Sequence, residues 1–137
     1  MREILFKAKR KDNGKWIDGY YQKRYDLLGN EEHLIFHADS YNIWEYAEVD
    51  PETLCQFTGL CDRYGNKIWE NDILMAHLDD DYPEDVTYET VEWNFAGWVT
   101  HETGSTNREY LDEFDLEHFE VVGSIFDNKE LLQEDTE

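Results

Sequence analysis

The chain has little cysteine, little proline and few bases. Of its 137 residues two are cysteine and two are proline. Small secreted domains that depend on disulfides use more cysteine, so Cys55 and Cys61 read as thiols of a reducing compartment. Pro51 and Pro83 stand alone, and no tract rich in Pro, Gly or Ser marks a linker. No stretch approaches the ~18 apolar residues of a membrane span. The opening Met1-Arg2-Glu3-Ile4-Leu5-Phe6-Lys7 is too short and too soon charged for a signal peptide. The expectation is a cytoplasmic protein with no membrane partner.

Bases are the scarcest charged group. Twelve Lys and Arg face thirty-three Asp and Glu, a net charge of −21. The imbalance is uneven. Residues 1–25 carry a net +5 and residues 26–137 a net −26. A field of that sign repels nucleic acid and anionic membranes and attracts basic surfaces and cations. The plainer role is solubility. The opposed portions of one chain also suggest head-to-tail attraction between copies, a homo-oligomer.

What is abundant is aromatic. Five Trp, nine Tyr and seven Phe exclude the disordered class despite the charge. A chain of this size buries roughly two thirds of its unfolded surface, enough for a core without staples.

The dominant hydrophobic period is two, which means strands. Ile4, Phe6 and Ala8 alternate with Leu5, Lys7 and Lys9. Asp12-Asn13-Gly14 follows, and Asn-Gly predicts a tight hairpin with both residues at positive φ. The return strand is Lys15–Gln22. A loop at Leu28-Gly29-Asn30 leads to strands at His33–His37 and Asn42–Val49. Asp50-Pro51 is a helix start with Asp as N-cap, predicting one helical turn.

Asp62-Arg63-Tyr64-Gly65 predicts a tight turn, with Asp62 accepting backbone hydrogen bonds and Gly65 at positive φ. A break at Asn71 precedes the strand Asp72–His77. Leu78–Asp85 reads as an acidic loop, Val86–Asn94 as a clean strand, and Ala96-Gly97 as a turn back to Trp98–His101. Tyr110–Phe114 is a strand or a helical turn, and Phe119–Phe126 a strand. Asp127-Asn128-Lys129-Glu130 reads as a capping box that opens a short helix.

The expected fold is therefore mainly β, with short helical turns. An N-terminal antiparallel hairpin sheet (residues 1–58) would pack on a C-terminal SH3-like small barrel or β-roll (59–132), followed by a frayed tail (133–137).

The blocks "VDPETL–QFTGL–D–GNKIWENDIL", then "V–W", then "VVGSIFDNKELL", together with the opening "F–AK–––GKWIDGYY", resemble the YopX family of phage and prophage proteins. The resemblance runs from about Ile4 to Leu132. Family members usually carry Gly where this chain has Asn71, and Asn is the next-best residue at a left-handed position. The resemblance implies a mostly β protein of a bacterial host cell. It supplies no reaction, cofactor or catalytic residue to carry over.

The chemistry-bearing residues read mostly as structure. Asp79-Asp80-Asp81-Tyr82-Pro83-Glu84-Asp85 could offer carboxylates to Ca²⁺, but it lacks the alternation and central Gly of an EF-hand loop. His33 and His37 on a strand lie ~13 Å apart, too far for one metal ion. Cys55 and Cys61 do not form a Cys-x-x-Cys pattern, and Cys55 reads as a small core residue. Asp62, Glu70 and Asp72 read as turn and edge residues rather than a catalytic set. Trp44, Trp69, Trp93 and Trp98 read as core, unless one lies exposed beside Tyr46 or Tyr88 to anchor a partner.

No catalytic, metal or cofactor residue is assigned, and the expectation is a non-enzymatic protein that binds a protein partner; the charge favours one with a basic surface. The sharper form is a DNA mimic, an acidic array that occupies a host nucleic-acid-binding protein. The opposite reading is a nucleic-acid binder using Lys7, Lys9, Lys11, Lys15 and Lys23 with Trp16 and Tyr20 stacking on bases. The overall charge disfavours it.

Overall fold

The structure, a computed structural model, describes residues 4–77, 81–112 and 116–132. Its strands are β1 (Phe6–Lys9), β2 (Trp16–Tyr25), β3 (Glu31–Ala38), β4 (Trp44–Glu48), β5 (Cys55–Cys61), β6 (Lys67–Trp69), β7 (Asp72–His77), β8 (Val86–Asn94), β9 (Gly97–Glu102), β10 (Arg108–Tyr110) and β11 (Phe119–Ser124). Helix is limited, among the described residues, to three 3-10 turns at Pro51–Thr53, Leu116–His118 and Lys129–Leu132. No helix there is long and apolar enough to cross a membrane. The chain divides into two compact units, Met1–Phe57 and Thr58–Glu137, and the division falls inside β5.

The first unit is an antiparallel sheet in the order β4-β3-β2-β1-β5. Alternation puts Ile17, Gly19 and Tyr21 on the inner face of β2 and Asp18 and Tyr20 outside. Ala8, Ile17, Ile35, Ala47 and Val49 form the core, with Phe6 and Leu54 against it. The sheet curls far enough that the end of β4 meets the end of β1. Arg10 bridges Val49, Lys11 N–H donates to Glu48 O at 3.0 Å, and Asp50 N–H donates to Lys9 O at 2.8 Å. The expected cap at Asp50 is present, since its Oδ1 accepts Glu52 N–H at 3.0 Å. The buried Thr53 hydroxyl then accepts Lys9 N–H at 2.8 Å, which fixes this turn to β1.

The first hairpin differs from expectation in its turn. Lys9 pairs with Trp16, and the loop is closed by Arg10 N–H to Lys15 O at 2.9 Å. Only Gly14 takes a positive φ, of 72°. Asn13 instead uses its side chain to accept Lys15 N–H at 2.9 Å. A side-chain acceptor stabilises a longer loop where a two-residue turn would need a left-handed Asn.

The second unit begins with a hairpin of β5 and β6, in which the Thr58 hydroxyl donates to Ile68 O at 2.8 Å. The remaining strands form an antiparallel sheet in the order β10-β9-β8-β7-β11. Ile68, Leu74, Ala76, Val91, Trp98 and Phe119 make its core, with Leu111, Leu116 and Val121 beside them. The expected small barrel is not what forms, because the strands of this sheet run from edge to edge without closing.

One local expectation in this unit changes. The β8–β9 turn is Phe95-Ala96 and not Ala96-Gly97, because Asn94 pairs with Gly97 and Phe95 takes a φ of 39°. The short helix expected after Asp127 is a single 3-10 turn, Lys129–Leu132, in which Asn128 O accepts Leu131 N–H at 3.0 Å, while Asp127 N–H donates to the Ser124 hydroxyl at 3.2 Å. The register of β11 against β7 shifts between Val121 and Gly123. Parts of the Leu78–Asp85 and Tyr110–Phe114 expectations, and the 133–137 tail, lie outside the described residues.

Gly19 has no substitute. Its φ is 155°, and an added Cβ would lie 2.1 Å from Phe36 O, a backbone atom of β3. Gly19→Ala should therefore destabilise the protein by at least about 3 kcal/mol, read as the midpoint of denaturant unfolding.

Candidate functional site

Two carboxylates of the 57–74 run, Asp62 and Asp72, accept backbone hydrogen bonds. Asp62 is buried at 6% exposure. Its Oδ1 accepts Tyr64 N–H and Asn66 N–H, both at 2.9 Å. Its Oδ2 accepts the Asn66 side-chain amide at 3.2 Å and, from 59 residues away, Val121 N–H at 2.9 Å. Arg63 N–H donates to Phe119 O at 3.2 Å. The Asp62 turn therefore lies along the outer edge of β11. Gly65 and Asn71 take positive φ of 84° and 69°, as their residue types foretold. Asp72, 2% exposed, accepts Trp69 N–H at 2.8 Å through Oδ2. Asn71 donates its N–H to Val91 O at 2.8 Å and accepts Ile125 N–H at 3.0 Å.

The other sequence candidates scatter. His33 and His37 share strand β3, but each has its own partners. His33 Nδ1 lies 2.6 Å from the Tyr21 hydroxyl, and His37 Nδ1 lies 2.8 Å from Asp18 O. Cys55 is buried and Cys61 exposed, both as thiols. Among the described residues no group of His, Cys, Asp and Glu is placed to hold a metal ion. Asp79 and Asp80 lie outside the described residues.

The four tryptophans divide. Trp69 and Trp98 are core at 7% exposure. Trp93 is half exposed and meets Trp98 edge-on at 5.1 Å. Trp44 is 56% exposed, which corrects its reading as core. It lies on an edge strand that has no neighbouring strand to bury it.

Trp44 belongs to a larger feature. Tyr20, Phe36 and Tyr46 stand in register across β2, β3 and β4, and Trp44 pairs with Ala38 one step along. The Tyr20 and Trp44 rings are 5.9 Å apart and the Phe36 and Tyr46 rings 5.4 Å apart. Tyr20, Trp44 and Tyr46 are each more than half exposed. The Arg24 guanidinium lies 5.7 Å over Tyr46. This aromatic face is the candidate site. The sequence signalled only the Trp44–Tyr46 pair; the register that adds Tyr20 and Phe36 depends on strand pairing between segments ten to twenty residues apart.

The basic residues proposed for nucleic acid are largely occupied. Lys7 and Lys9 Nζ lie 4.6 and 5.4 Å over the Trp16 ring. Lys11 pairs with Glu48 and Lys23 with Glu31, both at 3.1 Å. Arg10 pairs with Asp12 at 2.8 Å and Arg24 with Glu32 at 2.7 Å.

The second unit carries concave surfaces of its own. An open cavity of about 630 Å³ is lined by Asn71, Thr90, Glu92, Ile125, Phe126 and Leu132, with Lys129 at its rim. A second of about 410 Å³ is lined by Thr87, Glu89, Thr100, Glu102 and Glu109, with Ser105 and Asn107. There Glu89 stands directly opposite Glu102, and Glu109 opposite Thr100.

Two antiparallel sheets, turns capped by Asp50, Asp62 and Asp72, and an exposed aromatic face define a two-unit all-β protein. The YopX protein family matches residues 5–133, and the chain belongs to that family. The crystal structure of protein EF1440 from Enterococcus faecalis is similar, with a TM-score of 0.59 at 17% identity, covering 97% of this chain and 100% of that one. At that identity the likeness is one of fold. No curated protein matches the chain.

Burial pushes the Asp62 carboxyl up, and the bonds donated by Val121, Asn66 and Tyr64 more than offset it, leaving the group below its ordinary value. A lowered native pKa means the stabilisation is complete above the unfolded value of about 4 and is lost as pH falls through the native value. Asp62→Ala should cost roughly 3 kcal/mol at pH 7. Unfolding midpoints between pH 2 and 7 should show that difference shrinking in acid.

Proposed function

We propose that the protein is a non-enzymatic accessory protein of a phage or prophage that acts in the bacterial cytoplasm by binding another protein through its aromatic face. The observation that carries this reading is the exposure of Tyr20, Trp44 and Tyr46 on one sheet face of the first unit. Large aromatic side chains are costly to leave in water and are the residues that most often anchor partners. The carboxylates that might have served a reaction are instead bonded to backbone N–H groups. Occupied lysines and arginines speak against a nucleic-acid partner.

The test is capture from the bacterial host with the full chain. A Trp44→Ser, Tyr46→Ser double variant should recover at least about tenfold less of the partner, as loss of anchor residues does. Its thermal unfolding should stay within a few degrees of the wild type, since both side chains are largely exposed. Equal recovery by the variant overturns the reading.

A second reading, mimicry of nucleic acid, draws on the strand-borne Glu89, Glu102 and Glu109 of the second unit. Like charges fixed opposite one another on a sheet are destabilising by themselves. Glu89→Gln and Glu102→Gln should raise stability by a few tenths of a kcal/mol and, on this reading, abolish competition with DNA for a host DNA-binding protein. Unchanged competition removes it.

A further inference from the structure

The edge strand β4 combines three properties that together specify a partner. First, it is open. Val49 N–H donates to His33 O at 2.8 Å and Asp39 N–H to Ile43 O at 3.0 Å. Hydrogen-bonded pairs recur at every second residue of an antiparallel ladder. With Ile35 opposite Ala47 and His37 opposite Glu45, the odd-numbered residues of β4 therefore bond inward to β3. The N–H and C=O groups of Trp44, Tyr46 and Glu48 point away from the sheet. Glu48 O accepts Lys11 N–H at 3.0 Å. Among the described residues nothing pairs with the outward groups of Trp44 and Tyr46.

Second, the open edge is aromatic. Trp44 and Tyr46 flank those outward groups, and Tyr41 and Ile43 in the preceding turn are 83% and 63% exposed. Third, it is acidic. Residues 39–52 contain Asp39, Glu45, Glu48, Asp50 and Glu52 and no base. Lys11 matches Glu48. Glu45 forms no close ion pair among the described residues, although its charge acts on the Arg10 guanidinium, which is itself paired with Asp12.

We propose that β4 accepts an extended basic peptide segment of a partner protein as an added strand. Backbone groups of the segment would pair with Trp44 and Tyr46; its Lys or Arg side chains at one set of alternate positions would lie beside the Trp44 and Tyr46 rings, and those at the other set beside Glu45 on the opposite face. An open edge ordinarily invites a second copy of the same chain. Here a second β4 would bring the same five carboxylates against this one, so charge selects a basic strand and rejects self-pairing. The proposal rests on the protein-binding reading above and names the chemistry of its partner.

The probe is a blocked ten-residue peptide of repeating Lys-Lys-Thr-Thr, which presents Lys on both faces of a strand, added to the full chain at low salt and followed by Trp fluorescence and amide hydrogen exchange. The peptide should bind, and exchange at the Trp44 and Tyr46 amides should slow about tenfold or more as they enter a ladder. Glu45→Lys should weaken binding about tenfold, and an alternating Glu and Thr peptide should not bind. No binding of the Lys peptide overturns the proposal. So does binding that leaves both amides unprotected, because charge attraction alone needs no strand. Capture of the host partner, and its loss in the Trp44/Tyr46 variant, involve no peptide and decide the wider reading separately.

Discussion

The Asp62 carboxylate is the interaction on which the second unit depends. Four donors converge on its two oxygens. Three come from the turn it begins and one from a strand 59 residues on. The local bonds make the turn, and the long-range bond joins that turn to β11. Burying a carboxylate costs free energy unless hydrogen bonds satisfy it. Asp62 meets that condition and is held ionised by it. A residue that looks like a catalytic acid is thus a structural one, and the 57–74 run owes its distinctive pattern to backbone geometry.

The same turn solves a second problem. A sheet edge presents unpaired backbone groups that invite aggregation. Val121 N–H and Phe119 O of β11 are matched by Asp62 and Arg63. The opposite edge, β10, is only three residues long. In the first unit, the curl of the sheet matches Glu48 O with Lys11 N–H at one end of β4 and leaves Trp44 and Tyr46 open. The protein covers one long edge and leaves part of another accessible. That asymmetry separates a structural surface from a binding surface more clearly than residue type does.

The charge of the chain acts unevenly as well. Four of the N-terminal bases that stand out in the sequence as a +5 segment, Arg10, Lys11, Lys23 and Arg24, are matched with carboxylates. Exposed pairs of this kind contribute little to stability. Their effect is to reduce the positive field of the segment, which favours the acidic character of the remaining chain in what a partner meets.

Much was legible from residue types at short range. Asp50 capping a turn, Asp62 before Gly65, Asn71 in a left-handed conformation and the limits of Asp72–His77 and Val86–Asn94 all follow from local stereochemistry, which a few neighbouring residues decide. The errors arose where two local solutions compete. Asn13 could turn by its backbone or its side chain, and the β8–β9 turn could fall on Phe95-Ala96 or on Ala96-Gly97; strand pairing chose between them. Periodicity assigned Trp44 and Trp93 to strands correctly and to the core wrongly. Alternation tells which residues share a face, and only the neighbours in space tell whether that face is covered. Residue order alone was enough to place most strands, the turns at Asp50 and Asp62 and the family, because these rest on local stereochemistry and on motif spacing. Which edge is closed, which bases are paired and which aromatics meet water emerged only in three dimensions, because each depends on pairing between segments far apart in the chain.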